Sequence, residues 1–478
     1  VTQSSAAIID NIFVNNLLNK SVTSGILADP ISDHLPVFCI TPIQTNKSKQ
    51  TFITKRIFSD RNKTKFTDLL NSVNWDPCYA QTECQAAFTT FYNTYKTCFD
   101  QCFPPTKIKL GYRNKKPWLT EELKEMIKTK NKLYCKYIKS KTPHDQLIYS
   151  QFKGRLRSIL RRAERSPTDD LFSRHKTNLR KSWDIIKDVI NKKQHNNNTH
   201  YTLEIDGNET SDPLLVSESF NNYFVNVGPS LAKAIPQSDT DPTSFIQHPN
   251  LYTMFANPTN ETEIRNIIRE LKNCAPGPDG IPSVILKESS DFFIQILTHI
   301  INLSLSQGVF PNELKIAEIK PLFKNGNKLL INNYRPISLL PSFSKIFEKC
   351  MSSRLVDFIS KHNILYKYQF GFRAKHSTNM ALNLLVDKIT TSFDENKILI
   401  GVALDFRKAF DTIDFAILMS KLHKYGIRGK VYCWLSSYLN GRSQFVGLND
   451  VKSPPLSVQC GVPQGSILGL LLFFIIHK

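Results

Sequence analysis

The chain has few of the features that mark secreted or membrane proteins. Its 478 residues include ten cysteines, none of which forms a C-x-x-C pair, so we expect reduced thiols in an intracellular protein. No signal peptide is visible, and the sequence begins Val-Thr-Gln without an initiator Met, which we interpret as a cut from a longer reading frame. The apolar stretch at 467–476 is well short of the roughly twenty residues of a membrane span, so we expect no membrane partner.

Acidic residues are scarce relative to basic ones. There are 62 Lys and Arg against 41 Asp and Glu, giving a net charge of +21 and a pI near 9.4. Much of the excess lies between Lys107 and Lys193, a segment with 25 basic and nine acidic residues. Such a surface favours a polyanionic partner. The alternative is a solvated helical face. The candidate nucleic-acid-binding residues in this region are Arg155, Arg157, Arg161 and Arg162.

Two segments near the end of the chain contain candidate metal-binding and nucleotide-binding residues. The apolar run ILIGVAL at 398–404 predicts a buried strand that presents Asp405 at its end, followed by the block FRKAFD at 406–411. GVPQGSILG at 461–469 predicts a turn followed by a helix beginning near Ser466. A carboxylate at a strand end can hold metal ions, and Gln464 beside a glycine-flanked turn can contact a nucleotide. An ordinary strand and loop with surface acids is the alternative.

These two segments closely resemble motifs A and B of the reverse transcriptases of LINE-type (non-LTR) retrotransposons. The resemblance covers about residues 255 to 476 and implies an α+β fold: right-hand polymerase fingers and a partial palm, with an antiparallel sheet packed on helices, preceded by a mostly helical basic region. The upstream blocks that match, in the family's order, are APGPDGIP at 275–282, FP at 310–311, IKPLFK at 319–324, NYRPISLL at 333–340, SKIFEK at 344–349, YQFGFR at 368–373 and HST at 376–378.

The resemblance implies a role for each matched side chain. Lys324 and Arg335 would pair with the triphosphate through charge-assisted hydrogen bonds. The ring of Phe410 would lie beneath the sugar and clash with a 2′-hydroxyl, favouring deoxynucleotides. Solvated surface cations and a core aromatic are the alternatives. The site residues implied are the catalytic and metal-binding Asp405 and the nucleotide-binding Lys324, Arg335, Phe410, Gln464 and Gly465.

The carboxylates needed for the full reaction are not all present. Two-metal phosphoryl transfer needs at least two carboxylates that hold ions roughly 4 Å apart. In the family the others come from an acidic hairpin beyond motif B, which this sequence does not reach before Lys478. The Asp169-Asp170 pair lies in a predicted helix start, so we reject it as a substitute. We therefore expect the chain as given not to polymerise DNA.

The intact family copies RNA into DNA, and this sets the partners that the resemblance implies. They are an RNA template, a DNA primer or target, deoxynucleoside triphosphates and two Mg²⁺ ions, in the nucleus and cytoplasm. One alternative is a non-catalytic nucleic-acid-binding remnant. A weaker one is an RNA-dependent RNA polymerase, against which Phe410 argues. The oligomeric state is open.

The first residues of the chain resemble a different enzyme. SDHLPV at 32–37 is similar to the C-terminal end of the apurinic-type endonuclease that precedes the polymerase in many LINE-type elements. The match puts His34 at the catalytic histidine, Asp33 at its neighbouring acid and Asp10 at the acid that orients the imidazole. Two strands cannot bury a core, so we expect an inert remnant.

Four regions are predicted along the chain. They are an endonuclease remnant at 1–42, a basic helical region at 43–200, a connecting region at 201–254 and the polymerase fingers and partial palm at 255–478. The connecting region is expected to hold a hairpin at 201–208 and an amphipathic helix at 212–227. In the last region we expect helices at 261–273 and after Asp414, the second ended by Gly426.

Overall fold

The structure, a computed structural model, describes residues 23–26, 37–40, 52–109, 121–174, 182–183, 186, 201–236, 239–246, 249–373, 375–448 and 451–476. The chain divides into two compact units, the first of residues 1–53 and 108–197 and the second of residues 54–107 and 198–478. Within the described ranges, no helix has both the length and the apolar composition needed to cross a membrane.

Helices and short strands alternate along the chain, which confirms the expectation of a mixed α and β protein. The strands are β1 (Thr23–Ile26), β2 (Val37–Ile40), β3 (Phe52–Arg56), β4 (Pro105–Lys109), β5 (Leu203–Ile205), β6 (Asn208–Thr210), β7 (Ile316–Phe323), β8 (Tyr334–Leu339), β9 (Ser443–Leu448), β10 (Val451–Lys452) and β11 (Leu456–Ser457). The helices are α1 (Asp60–Asn71), α2 (Asp76–Tyr79), α3 (Cys84–Cys102), α4 (Glu121–Ser140), α5 (Pro143–Arg174), α6 (Pro213–Lys233), α7 (Glu261–Glu270), α8 (Ser283–Ser289), α9 (Ile294–Gln307), α10 (Ser342–Lys361), α11 (Thr378–Asp394), α12 (Phe415–Lys424), α13 (Gly429–Leu439) and α14 (Leu468–Ile476).

The first unit contains a helical hairpin, α4 and α5, and the antiparallel pair β1 and β2. The Tyr149 ring of α5 lies 5.0 Å from Tyr134 of α4, measured between centroids. Lys136 forms an ion pair with Asp145 at 3.0 Å across the same hairpin. The helix start predicted near Asp169 is wrong, because α5 runs without interruption from 143 to 174. The predicted strand at 7–14 lies outside the described residues.

The larger core of the second unit is helical and rich in aromatic rings. In α3 the buried rings recur every three or four residues, so they share one face of the helix. Phe343 of α10 meets Phe91 and Tyr95 of α3 edge-to-face, with centroids 5.4 and 5.2 Å apart. Residues 54–107 therefore share a core with the chain after residue 255, although the sequence analysis grouped them with the basic region. The four predicted region boundaries stay a prediction.

The central sheet of the second unit has the order β10-β9-β7-β8, and β11 also pairs with β9. β7 and β8 are antiparallel, with Leu322 opposite Arg335, but β7 and β9 are parallel, with Ile316 opposite Ser443. The prediction of an antiparallel sheet is therefore only partly right. The physical reason is the long connection from β8 through α10 to α13, which returns the chain to the same end of the sheet.

The connecting region folds as predicted and packs on the sheet. β5 and β6 form the hairpin, and the two turn residues Asp206 and Gly207 have positive φ values of 52° and 78°, as a two-residue turn requires. α6 begins after Asp212, whose side chain accepts a hydrogen bond from the Leu214 N–H. Its buried face contributes Val216, Phe220 and Phe224 to a second core with residues of β7 and β9. This region thus covers the sheet rather than merely linking two parts of the chain.

The buried strand predicted at 398–404 is wrong in this structure. These residues form no strand, and Ile398 and Leu404 expose 92% and 84% of their surface. A run with strand propensity becomes a strand only when a neighbouring strand satisfies its backbone groups. No described strand pairs with residues 398–404, so their apolar side chains stay exposed and Asp405 follows an extended segment instead of a sheet strand.

Candidate active site

A cleft of about 640 Å³ opens where the ends of β7 and β8 face residues 405–411 and the turn that contains Gln464. It brings together side chains that are more than a hundred residues apart in the sequence. Among the residues that line it are five of the predicted site residues: Lys324, Arg335, Asp405, Phe410 and Gln464. Gly465, the sixth residue predicted for the nucleotide and metal site, follows Gln464 in the sequence. The roles assigned to these residues stay predictions, but the structure does bring them to one place.

One side of the cleft is strongly positive. Lys324 follows β7 and its backbone N–H donates to the Asn333 carbonyl at 2.9 Å, which holds it beside β8, where Arg335 lies. Burial lowers the pKa of Lys408, the nearby charges of Arg407, Lys324 and Arg335 lower it further, and Asp411 opposes them. Four cations therefore lie within electrostatic reach of one another. Such a cluster is stabilised by an anion with several negative charges.

Lys408 was missed by the sequence analysis as a site residue. Its Nζ donates to the backbone carbonyls of Asn332 and Tyr334 at 3.2 and 3.3 Å and lies 5.5 Å from the Tyr223 ring centroid. Its φ of 54° is in the left-handed region, which is uncommon for a residue other than glycine. Lys408 therefore joins the 405–411 segment to the start of β8. A positive φ cannot be read from the sequence FRKAFD, so no local signal pointed to this role.

Asp405 is an exposed carboxylate at the rim of this cleft. A site for two Mg²⁺ ions needs at least one further carboxylate beside it. Asp411 also lines the cleft, but it is partly buried and its Oδ1 accepts a hydrogen bond from Gln464. In the part of the chain that the structure describes, no three His, Cys, Asp or Glu side chains are grouped to hold a metal ion. The residues present therefore do not fit a complete two-ion site.

Phe410 is partly buried and lines the cleft. Its ring stacks on Phe473 of α14, with centroids 4.6 Å apart and planes 28° apart. The side chain thus belongs both to the edge of the helical core and to the cleft wall. Stacking on one face restricts the ring, and the restriction is what a steric gate beneath a sugar would need. The gate itself stays a prediction.

The turn that carries Gln464 is fixed by backbone contacts to two other segments. The Gln464 carbonyl accepts from the Ser338 N–H of β8 at 2.8 Å, and the Val462 N–H donates to the Phe410 carbonyl at 2.9 Å. Gly465 has a φ of 127°, and a Cβ at this position would come within 2.8 Å of the Ser338 carbonyl oxygen. Glycine is therefore required at 465 by both conformation and space.

A buried carboxylate holds the start of the helix after this turn. Glu348 of α10 is fully buried, and its Oε2 accepts from the N–H groups of Ile467 and Leu468 at 2.7 and 3.2 Å. Ser344 and Tyr438 donate to the same carboxylate. A negative charge at a helix N-terminus is favourable because the first N–H groups have no partners within the helix. The Glu in SKIFEK thus positions α14, a role that the sequence alone does not show.

The remaining predicted site residues lie elsewhere. The four candidate nucleic-acid-binding arginines are exposed on α5, as a nucleic-acid-binding surface requires: Arg155, Arg157, Arg161 and Arg162. The proposed endonuclease residues lie outside the described residues: Asp10, Asp33 and His34. All ten cysteines are free of disulfide bonds, in agreement with the expectation of reduced thiols.

Comparison with known proteins finds similarity in the part of the chain that forms this cleft. Residues 323–477 match the family described as reverse transcriptase (RNA-dependent DNA polymerase), and this segment contains all the cleft residues predicted from the sequence. The chain is similar to the probable RNA-directed DNA polymerase from transposon X-element of Drosophila melanogaster, with 36% identity over 43% of this chain and 23% of that protein.

Two other relatives extend the similarity along the chain. The probable RNA-directed DNA polymerase from transposon BS of Drosophila melanogaster is 28% identical over 74% of this chain and 39% of its own length. The RNA-directed DNA polymerase from mobile element jockey of Drosophila funebris is 26% identical over 73% of this chain and 38% of its own length. The chain thus spans at most about two fifths of these curated relatives.

Proposed function

We propose that this chain is part of an RNA-directed DNA polymerase of the LINE-type retrotransposon group, because residues 323–477 match the reverse transcriptase family and the chain is similar to RNA-directed DNA polymerases of transposons. The observation that carries the proposal is the cleft, which gathers Lys324, Arg335, Asp405, Phe410 and Gln464 from four separate segments. For the chain itself the proposed activity is the binding of a deoxynucleoside triphosphate. The template RNA and the DNA primer or target are proposed partners of the whole polymerase.

In this proposal, different residues of the cleft bind different parts of the nucleotide. Lys324 and Arg335, with Lys408 behind them, bind the triphosphate because the cations repel one another until an anion arrives. Phe410 lies where a ring held by Phe473 can exclude a 2′-hydroxyl. Gln464 and Gly465 contact the remainder of the nucleotide. Water is displaced from the cleft when the triphosphate binds, which strengthens each charge pair.

Asp405 is the proposed ligand for Mg²⁺. When bound, the ions would supply the electrophilic stabilisation of the reacting phosphate that this family uses. Among the described residues that line the cleft, Asp405 is the one exposed carboxylate, and these residues do not form a complete two-ion site. Asp405 would hold and orient an ion together with the phosphates of the nucleotide itself, as is common for Mg²⁺ sites.

The test is nucleotide binding by the 478-residue chain, measured by isothermal titration calorimetry with dTTP. Lys324→Ala and Arg335→Ala should each weaken the affinity about 10-fold, as expected for the loss of a charge-assisted hydrogen bond. The matched control is Lys328→Ala. Lys328 has the same charge and lies in the same connection between β7 and β8, but it is exposed beside Phe323 and does not line the cleft.

Two results would contradict the proposal. If the parent chain binds no dTTP, the cleft is not a triphosphate site. If Lys328→Ala weakens binding as much as Lys324→Ala does, the affinity reflects the general positive charge of the surface, and the cleft has no special role.

A second function is favoured by a separate observation, the exposed arginines of α5. A non-catalytic nucleic-acid-binding protein needs only such a surface and does not need the cleft. The two functions make different demands on the chain: nucleic-acid binding without dTTP binding supports the remnant, whereas binding of both supports the polymerase.

A further inference from the structure

The backbone around Gln464 is held by hydrogen bonds to two other segments. Its carbonyl accepts from Ser338, while Gly461 and Val462 just before it donate to Ile413 and Phe410 at 2.8 and 2.9 Å. The turn is therefore fixed against both β8 and the 410–413 segment. The terminal amide of Gln464 can take two orientations related by a half-turn, because its oxygen and nitrogen have nearly the same shape but opposite hydrogen-bonding character.

The carboxylate of Asp411 selects one of the two orientations of the Gln464 amide. The Gln464 Nε2 donates to Asp411 Oδ1 at 2.9 Å. An ionised carboxylate can only accept hydrogen bonds, so it attracts the amino group of the amide and repels the carbonyl oxygen. The amide oxygen is then directed away from Asp411. Because Gln464 lines the cleft, this arrangement leaves the amide oxygen as an acceptor for a molecule bound there, while one of the two amide N–H groups is used by Asp411.

Asp411 is itself fixed in place. Its N–H donates to the Lys408 carbonyl at 2.8 Å, and its backbone lies so close to Gly228 and Gly461 that a Cβ at either position would approach it within 3.0 Å. Burial raises the pKa of the Asp411 carboxyl, while the hydrogen bond from Gln464 and the charge of Lys408 lower it. The backbone of Asp411 is thus fixed, and the two groups that stabilise its charged form, Gln464 and Lys408, both line the cleft.

We propose that Asp411 is a positioning residue, which orients the Gln464 amide so that its carbonyl oxygen accepts a hydrogen bond from an N–H or O–H group of the nucleoside part of a bound nucleotide. The inference rests on the proposed function and deepens it. It separates the recognition of the nucleoside, through Gln464, from the binding of the phosphates, through Lys324 and Arg335.

The experiment compares two probes on the 478-residue chain: dTTP, which has a nucleoside, and inorganic triphosphate, which has none. Asp411→Asn keeps the shape of the side chain but can donate as well as accept, so it no longer enforces one orientation of the amide. It should weaken dTTP binding about 5- to 10-fold, the size of one hydrogen bond, and leave triphosphate binding unchanged. The control is Asp394→Asn, at the exposed end of α11 and outside the cleft.

A double-mutant cycle tests whether Asp411 affects dTTP binding through Gln464. In a Gln464→Ala background, Asp411→Asn should have no further effect on dTTP binding, because the amide that it orients is gone. Equal weakening of dTTP and triphosphate binding, or an undiminished effect in the Gln464→Ala background, would overturn the proposal. A parent chain that binds neither probe would instead refute the triphosphate site, and this inference with it.

Discussion

Buried carboxylates of this protein differ in how fully their hydrogen-bonding capacity is used. Glu348 accepts from two backbone N–H groups and two hydroxyls at the start of α14. Asp279, in the turn before α8, accepts from the Ile281 N–H and the Tyr92 hydroxyl at 3.1 and 3.2 Å and is 6% exposed. Burial raises the pKa of Asp279 to about 6, because these bonds only partly offset the loss of water.

Asp279 should make the stability of the second unit depend on pH. Its pKa is higher in the folded than in the unfolded chain, so its stabilising contribution is complete below the unfolded value of 3.8 and is lost as pH rises through about 6. Between about pH 5 and about pH 7.5, this group alone should lower the free energy of unfolding by about 1.4 kcal/mol. Urea denaturation at both pH values measures the change.

Asp279→Asn is the matched variant for this prediction. The amide keeps an oxygen for the Ile281 N–H and can donate to Tyr92, but it carries no charge at any pH. The variant should gain stability relative to the parent at about pH 7.5 and lose that advantage at about pH 5. A stability difference that stays constant across this range would show that Asp279 is not the group that titrates.

At the scale of single elements, local sequence signals were sufficient wherever a helix or turn depends on its own residues. The helices after Asp212, Asn260 and Asp414 all begin with a side-chain cap, and each was predicted close to its observed start. The hairpin at Asp206-Gly207 follows from residues that tolerate positive φ. These features need no knowledge of distant parts of the chain.

Contacts between distant elements could not be predicted in this way. The cap that Glu348 provides to α14 spans 119 residues, and the pairing of Asp411 with Gln464 spans 53. The burial of residues 398–404 depends on a neighbouring strand, which an apolar pattern cannot supply. Five of the residues that line the cleft were nevertheless predicted from the sequence, because the resemblance to family motifs indicates which distant segments lie together; Lys408 and Asp411 were not predicted.

Helix α6 packs closely against residues 411 and 460 because residue 228 is glycine. A Cβ there would lie 2.3 Å from the Asp411 carbonyl oxygen and 2.5 Å from the Cys460 Sγ. In an unconstrained helix Gly→Ala is stabilising by about 1 kcal/mol. Here we expect Gly228→Ala to destabilise the second unit by about 1–3 kcal/mol, as overpacking does, since backbone must move. Thermal unfolding measured by circular dichroism tests this.

Gly154→Ala is the control for the same substitution. Gly154 lies inside α5, and nothing comes within 4 Å of a Cβ built on it. This variant should therefore raise the stability of the first unit by up to about 1 kcal/mol. If Gly228→Ala is also stabilising, α6 does not pack against residues 411 and 460 as closely as described.

At the scale of the whole molecule, positive charge is arranged in two different ways. The cations of the cleft converge on one volume, suited to a compact anion such as a triphosphate. The arginines of α5 instead lie along an exposed helix, suited to the repeating charges of a nucleic acid backbone. The chain carries a net charge of +21, so a test of the helix must separate a local surface from general attraction.

The last prediction is that the chain binds single-stranded RNA or DNA through α5, and that salt weakens this binding steeply. Each phosphate neutralised releases a counterion, so affinity should fall at least about 10-fold between roughly 50 and 200 mM salt. Converting Arg155, Arg157, Arg161 and Arg162 of α5 to glutamine should weaken binding to any sequence and flatten the salt dependence, because fewer phosphates are neutralised. Fluorescence anisotropy with labelled oligonucleotides measures both the affinity and its salt dependence.

The charge-matched control neutralises four exposed lysines of the second unit: Lys233, Lys361, Lys424 and Lys430. Equal weakening by this control would show that binding follows the net charge of the molecule, and salt-insensitive binding would show that phosphates are not what α5 recognises.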